Sequence, residues 1–208
     1  MFITFEGIEG SGKSTQIKML KDALLVEGHE VIVLREPGGT ILGEKVREAF
    51  LEKTIEKISV ETETFLLYAS RKHLDQNLLK PSLAEKKFVI CDRYYDATEA
   101  YQCYGKGLSH DFFKSLNKVC NLSIPEITFY IDITSEISKE WISNRERDRM
   151  EAEEIDFFNK VREGYLKIAE ENIHSAWVIF FLPNALAVAP LTAPPNAPLE
   201  SILVNISS

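Results

Sequence analysis

Three cysteines in 208 residues, Cys91, Cys103 and Cys120, are an odd number at no metal-ligand spacing. That excludes a disulfide scaffold and a thiolate metal site, and reads as free or buried thiols in a reducing, cytoplasmic compartment. Basic charge is also scarce: 24 Lys and Arg against 32 Asp and Glu leave a formal net charge of −8. Long-range attraction to nucleic acid or an anionic membrane is therefore disfavoured, and neither is expected as a partner. The opening "MFITFE" has no basic n-region and no apolar h-region, so no signal peptide is expected. From Asn172 to Leu199 charge is missing altogether, and five of the eight prolines fall between 183 and 198. Pro183, Pro190, Pro194, Pro195 and Pro198 leave no clean apolar run of about 18 residues, so this segment is not expected to span a membrane.

What is present is a strand–helix alternation. "MFITFE" (1–6), "EVIVLRE" (30–36), "KFVICD" (87–92) and "ITFYIDI" (127–133) are short, β-branched and aromatic, with amphipathic stretches between them. "AWVIFFL" (176–182) offers a fifth strand. Such alternation builds a parallel sheet covered on both faces. The length fits one domain. No linker divides it, so residues 1–171 form the main body, and 172–208 are read as an atypical final strand and a Pro-rich, loop-like tail of the same domain.

The first strand runs into "FEGIEGSGKSTQ" (5–16), where Gly7 to Ser14 satisfy G-x-x-x-x-G-K-[ST] without a mismatch. Strand, loop and helix follow in the order a phosphate-binding loop requires. The span Gly7, Ile8, Glu9, Gly10, Ser11, Gly12, Lys13, Ser14 and Thr15 is the candidate nucleotide site. Its glycines let backbone N–H groups converge on phosphate oxygens, and the helix N-terminus adds positive potential. Lys13 would neutralise β/γ-phosphate charge and Ser14 would offer its hydroxyl to Mg²⁺. Glu9 puts a carboxylate beside an anion site, which is costly unless it faces elsewhere. It could point across the cleft to a hydroxyl of a second substrate.

"FVICDRYYDATEAYQ" (88–102) starts as a buried strand and ends in Asp92-Arg93. An acid at such a strand end commonly supports Mg²⁺, and the adjacent arginine would face the same crevice. A signalling GTPase would need N/T-K-x-D, and "NKVC" (117–120) lacks the Asp. An L-S-G-G-Q-like transporter signature is also missing. A small kinase needs an acceptor pocket and an arginine-bearing cover. "SNRERDRMEAEE" (143–154) supplies Arg145, Arg147 and Arg149, a solvated charged helix when open and a charge-stabilising lid when closed. Lys13, Asp92, Arg93 and these three arginines are the candidate catalytic residues. The acceptor pocket draws on "REPGGT" (35–40), with Arg35 and Pro37, on "LLYASRKH" (66–73), with Leu67 and Arg71, and on Tyr101 and Gln102.

In this order and spacing the stretches resemble the bacterial thymidylate kinase family, from Met1 to about Glu171. The marks are "FEGIEGSGKSTQ", "REPGGT", "LLYASRKH", "VICDRYYDATEAYQ", "YGKGL", "PEITFYIDI" and "DRMEAEEIDFFNKVREGYLKIA". The resemblance implies a three-layer α/β P-loop kinase fold with a five-stranded parallel sheet, typically as a homodimer. It implies transfer of the γ-phosphoryl of ATP to dTMP with Mg²⁺. On matching positions, Glu9 would meet the sugar 3′-hydroxyl, Arg35 and Arg93 the phosphate, Arg71 and Gln102 the thymine, Tyr101 the deoxyribose, and Asp92 would position Mg²⁺ and its waters. Gly10 stands where one branch of the family carries an arginine, so cationic help is expected from the lid.

Four departures stand out. Leu67 replaces a usual base-stacking phenylalanine, Ala97 a usual serine, and Trp141 a polar or basic residue. The family's final acid and helix have no counterpart after Asn172. A kinase for another nucleoside monophosphate, or an inactive nucleotide-binding protein, remain the alternatives.

Overall fold

A computed structural model of the protein describes residues 1–52, 58–141 and 154–172 with their side chains, and 176–182 and 185–190 as backbone. The centre of the sheet is β1 (Phe2–Glu6), buried at all five positions. Its alternation sends Ile3 and Phe5 to one face, where they pack with Ile17, Leu20 and Leu24 of α1 (Lys13–Val26). Phe2 faces the other side, against Leu74 of α3 (Val60–Leu74) and Tyr94. A strand buried on both faces reads as a near-continuous apolar run, which is why "FITF" carries no polar stripe. Its one inner hydroxyl, on Thr4, is paired with that of Thr128 at 2.8 Å.

Around β1 lie β2 (Val31–Arg35), β3 (Phe88–Asp92), β4 (Ile127–Asp132), β5 (Ala176–Leu182) and β6 (Ala185–Pro190), in the order β2-β3-β1-β4-β5-β6. The pairs from β2 to β5 are parallel, and β6 runs antiparallel to β5. The sheet therefore departs from the expected five-stranded parallel one. It has four parallel strands with described side chains, extended to six by β5 and β6. The second extra strand is Ala185–Pro190, which pairs antiparallel with β5, where the sequence had suggested only an extended tail.

The remaining helices are α2 (Ile41–Leu51), α4 (Lys80–Ala84), α5 (Tyr95–Thr98), α6 (His110–Cys120), α7 (Ser135–Trp141) and α8 (Ile155–Glu171). Thr40, Ser59 and Ser109 cap α2, α3 and α6 by accepting from Gly43, Thr62 and Phe112 N–H groups. α5 runs into a π-helical turn, Glu99–Gly105, which carries Tyr101 and Gln102. Gly164 lets α8 lie against that turn, because a Cβ there would sit 2.7 Å from the Tyr104 side chain. Asp132, at the end of β4, pins α8 by accepting from Arg162 Nε at 2.7 Å and Nη2 at 2.6 Å. Among the described residues no helix is long and apolar enough to cross a membrane.

Register positions the site. Arg35 lies opposite Asp92, and Asp92 opposite Phe5, so the carboxyl ends of β2, β3 and β1 share one edge. The chain crosses from one side of β1 to the other between β3 and β4. In open parallel sheets that reversal opens a crevice at this edge.

Candidate active site

The loop after β1 is shaped by close backbone approach. Gly7 has φ +141°, and a Cβ on it would lie 2.6 Å from the Ile131 carbonyl oxygen of β4. The loop closes on Gly12, left-handed at φ 88°, which begins α1 without a side-chain cap. The first N–H groups of α1 are thus left to an external acceptor, the arrangement that suits an anion. Lys13 is only 6% exposed. Its Nζ donates to the carbonyls of Gly7 (3.1 Å) and Ile8 (2.9 Å). Burial, then the positive charge of Arg93, push the ammonium from 10.5 down to about 8.

At the end of β3, Asp92 is partly buried, and its Oδ1 has no hydrogen-bond partner among the described residues. Arg93 follows at φ +69°. That left-handed conformation costs an L-residue about 1–2 kcal/mol and turns the guanidinium back into the cleft. There it donates to Glu9 Oε2 (3.0 Å) and the Tyr165 hydroxyl (3.3 Å), and lies over the Tyr101 ring at 5.1 Å. Arg93 is therefore no surface salt bridge with its neighbour Asp92. Beneath it Glu6 is buried, accepting from Tyr94 N–H (2.6 Å) and the Tyr165 hydroxyl (3.0 Å). Burial raises the Glu6 carboxyl to about 7.

Across the cleft Arg35 is half exposed and donates to Glu44 (2.8 Å), whose other oxygen takes the Gly39 N–H (2.8 Å). Arg71 is 2% exposed. It donates to the Glu36 carboxylate, to Thr98 Oγ1 (3.1 Å) and to the Tyr94 carbonyl (3.1 Å). Burial raises Glu36 to about 7, against the pull of Arg71. Gln102 is 1% exposed. It donates to Glu63 (3.4 Å), and its carbonyl oxygen has no partner among the described residues.

These groups open on one cavity of about 580 Å³. Glu9, Gly10, Ser11, Gly12, Lys13, Ser14, Arg35, Pro37, Leu67, Arg71, Asp92, Arg93, Tyr101 and Gln102 all reach its wall. Gly7, Ile8 and Thr15 are not among its lining residues. The lid arginines Arg145, Arg147 and Arg149 fall outside the described residues. Sequence reasoning passed over several neighbours. Glu36 sits inside the quoted "REPGGT", where its burial partner was not visible. Phe50 and Phe158, which join Leu67, Ala97 and Tyr101 in the apolar wall, come from α2 and α8 with no local motif to mark them.

A family model described as Thymidylate kinase matches residues 5–179. A thymidylate kinase of Thermoanaerobacter sp. (strain X514) is 46% identical over 171 residues, covering 82% of this chain and 84% of its own. One from Caldanaerobacter subterraneus subsp. tengcongensis is 43% identical over 189 residues, 90% of either chain. The crystal structure of thymidylate kinase from Ehrlichia chaffeensis superposes with a TM-score of 0.72 at 37% identity, over 86% of this chain and 91% of that one. The motifs, the shared cavity and these matches agree: the chain belongs to the thymidylate kinase family.

Proposed function

We propose that the protein transfers the γ-phosphoryl group of ATP to dTMP, giving dTDP and ADP in the synthesis of dTTP. The observation that carries this reading is the single cavity onto which Lys13, Arg35, Arg93, Arg71 and Gln102 all open. In-line transfer between two anionic nucleotides needs no covalent intermediate. Fixed positive groups and alignment supply the catalysis.

ATP lies along Gly7–Thr15, its phosphates on the loop N–H groups, with Lys13 leaving its two carbonyl acceptors for phosphate oxygens. Arg93 and Arg35 hold the dTMP phosphate. Arg93 is pre-aimed by Glu9, Tyr165 and Tyr101, whereas Arg35 exchanges Glu44 for substrate. Glu9, already at the cleft, takes the sugar 3′-hydroxyl, and Tyr101 with Pro37 bounds the deoxyribose. Gln102 and Arg71 meet the thymine over the apolar floor of Leu67.

Mg²⁺ fits this wall, since Asp92 Oδ1 is buried with no partner among the described residues and Ser14 reaches the same cavity. Asp92 and Ser14 would hold the ion, with phosphate and water as its remaining ligands. When bound it neutralises phosphate charge. Arg145, Arg147 and Arg149 are assigned to a lid at 143–154, and 172–208 to the same domain as 1–171.

The enzyme is placed in the cytoplasm, where ATP-dependent nucleotide synthesis belongs. Its three thiols, all unpaired, suit that compartment. A homodimer is proposed, with the exposed Phe65 of α3 and Val119 of α6 available to a second copy; light scattering reads it. The functional test is coupled ADP release with dTMP, dUMP, UMP, CMP and AMP. A preference for dTMP in kcat/KM is expected, and turnover of another monophosphate in its place would overturn the reading.

A further inference from the structure

Gln102 presents a choice that its own atoms cannot make. An amide can offer either its oxygen or its NH₂ to a base, and the two orientations fill the same space. The choice is made behind the cavity wall. Glu63 lies on α3 in register with Leu67 and Arg71 at four-residue steps, so the three share one helix face. Glu63 is 1% exposed and does not line the cavity. Lys106 donates to both its oxygens, at 2.9 and 3.0 Å. Paired in this way Glu63 is a carboxylate, which accepts hydrogen bonds and donates none. The group of Gln102 facing it, at 3.4 Å, must therefore be the NH₂. The carbonyl oxygen is left on the other side of the amide, buried and without a partner among the described residues, at a cavity-lining position. A buried acceptor left unpaired is costly, and a ligand donor there recovers that cost.

We propose that Glu63 is a positioning residue for base selection: with Lys106 it locks the Gln102 amide so that a fixed acceptor faces the nucleobase. The proposal rests on the reading that this cavity takes the base of a nucleoside monophosphate. Thymine and uracil carry a donor at ring position N3, whereas cytosine carries an unprotonated acceptor. An oriented carbonyl oxygen accepts from the former and repels the latter. Selection thus comes from a charge the substrate never touches.

The test is steady-state kinetics of Glu63→Gln with dTMP and dCMP, in the unmutated and the Gln102→Ala backgrounds. Glu63→Gln is nearly isosteric, yet its own amide can donate to or accept from Gln102, which frees the flip. The ratio of kcat/KM for dTMP over dCMP is expected to fall about tenfold, one hydrogen bond's discrimination, mostly through KM. In the Gln102→Ala background the same substitution should leave the ratio unchanged. A merely structural role would lower both substrates together and leave the ratio intact, which would overturn the proposal. An equal fall in both backgrounds would also overturn it, because Glu63 would not be acting through Gln102. Should Glu63→Gln fail to fold, Glu63→Met serves: it keeps an apolar side chain of similar length and removes the acceptor that faces the Gln102 NH₂, with the same fall in ratio expected and the same retention fatal. If the unmutated protein does not phosphorylate dTMP, the functional reading itself fails. If it does and the variants keep its ratio, only the positioning role falls.

Discussion

At the donor end of the cavity, where ATP is proposed to lie, the candidate phosphate-binding groups come from one run, Gly7 to Thr15, and are mostly backbone N–H. At the acceptor end, the candidate groups are side chains gathered from β2, α3, the turn after β3, the π-helical turn and α8, and apart from the half-exposed Arg35 they are mostly buried. Arg71, Glu36, Glu63 and Gln102 are each no more than 3% exposed. A backbone loop keeps its shape when one side chain changes. A buried polar network does not, because every member lost leaves another unsatisfied. The donor end should therefore separate activity from stability, and the acceptor end should join them.

Lys13→Ala is the sharpest test of that separation. It removes the cation proposed to neutralise the transferring phosphates, and kcat should fall about 10³-fold or more, on the scale of losing a preorganised charge. The loop is held by Gly7 against β4 and by α1, so Tm should move little. Turnover near that of the unmutated enzyme would remove the loop from the reaction. A collapse of the fold would erase the contrast between the two ends.

Arg71→Ala should do the reverse of separating. It strands Glu36, fully desolvated, and frees Thr98 Oγ1 and the Tyr94 carbonyl of their donor. Breaking a buried ion pair from one side costs about 3–5 kcal/mol. Urea unfolding should show that loss together with a fall in dTMP kcat/KM. A variant as stable as the parent would mean the network is not the support it is taken to be.

Leu67→Phe probes the apolar floor, where the expected stacking ring is absent. Phe50 and Leu67 belong to one buried cluster at the cavity wall. A ring added at 67 alone overfills it, at about 1–3 kcal/mol of stability. The paired exchange Phe50→Leu with Leu67→Phe conserves volume and should recover most of that. Thermal melts of the two singles and the double decide it: additive losses would show that the two positions do not share the space.

How much of this was legible follows the same division. The phosphate loop could be read because its function is written in consecutive residues, and Asp92-Arg93 because a strand end is a local signal. Register then brought Arg35 and Asp92 to the same edge, as strand alternation implied. What the sequence could not display was who shares a burial with whom. Arg71 reaches the cavity wall, but that Glu36, Thr98 and Tyr94 hold its guanidinium is nowhere marked in the sequence. Tyr165, which bridges Glu6 and Arg93, comes from a helix 72 residues beyond Arg93. Glu63 lies in "VETETF", where nothing in the sequence sets it apart from its acidic neighbours. The final strands were half legible: β5 was anticipated from its apolar run, but β6 depends on a pairing that no periodicity announces.

The smallest expected effect sets the two ends against each other in pH. Lys13 is held down to about 8 by burial. As pH rises from about 7.5 to 8.5 the free enzyme loses roughly two-thirds of that charge, and kcat/KM for ATP should fall about threefold. Stability moves the other way. Between about 8 and 10.5 the unfolded chain keeps the Lys13 proton that the folded one has shed, so this group's contribution to stability rises with pH. Glu36, raised to about 7 by burial, gives the opposite slope. Between about 4.5 and 7 the folded state holds the extra proton, and its contribution falls as pH rises. The difference in unfolding free energy between the parent and Lys13→Met should slope upward above pH 8. The corresponding difference for Glu36→Gln should slope downward below pH 7. A flat difference in either window would show that the buried group there does not titrate as its surroundings require. Two slopes of the same sign would break the contrast between a cation held by loop carbonyls and a carboxyl held by Arg71.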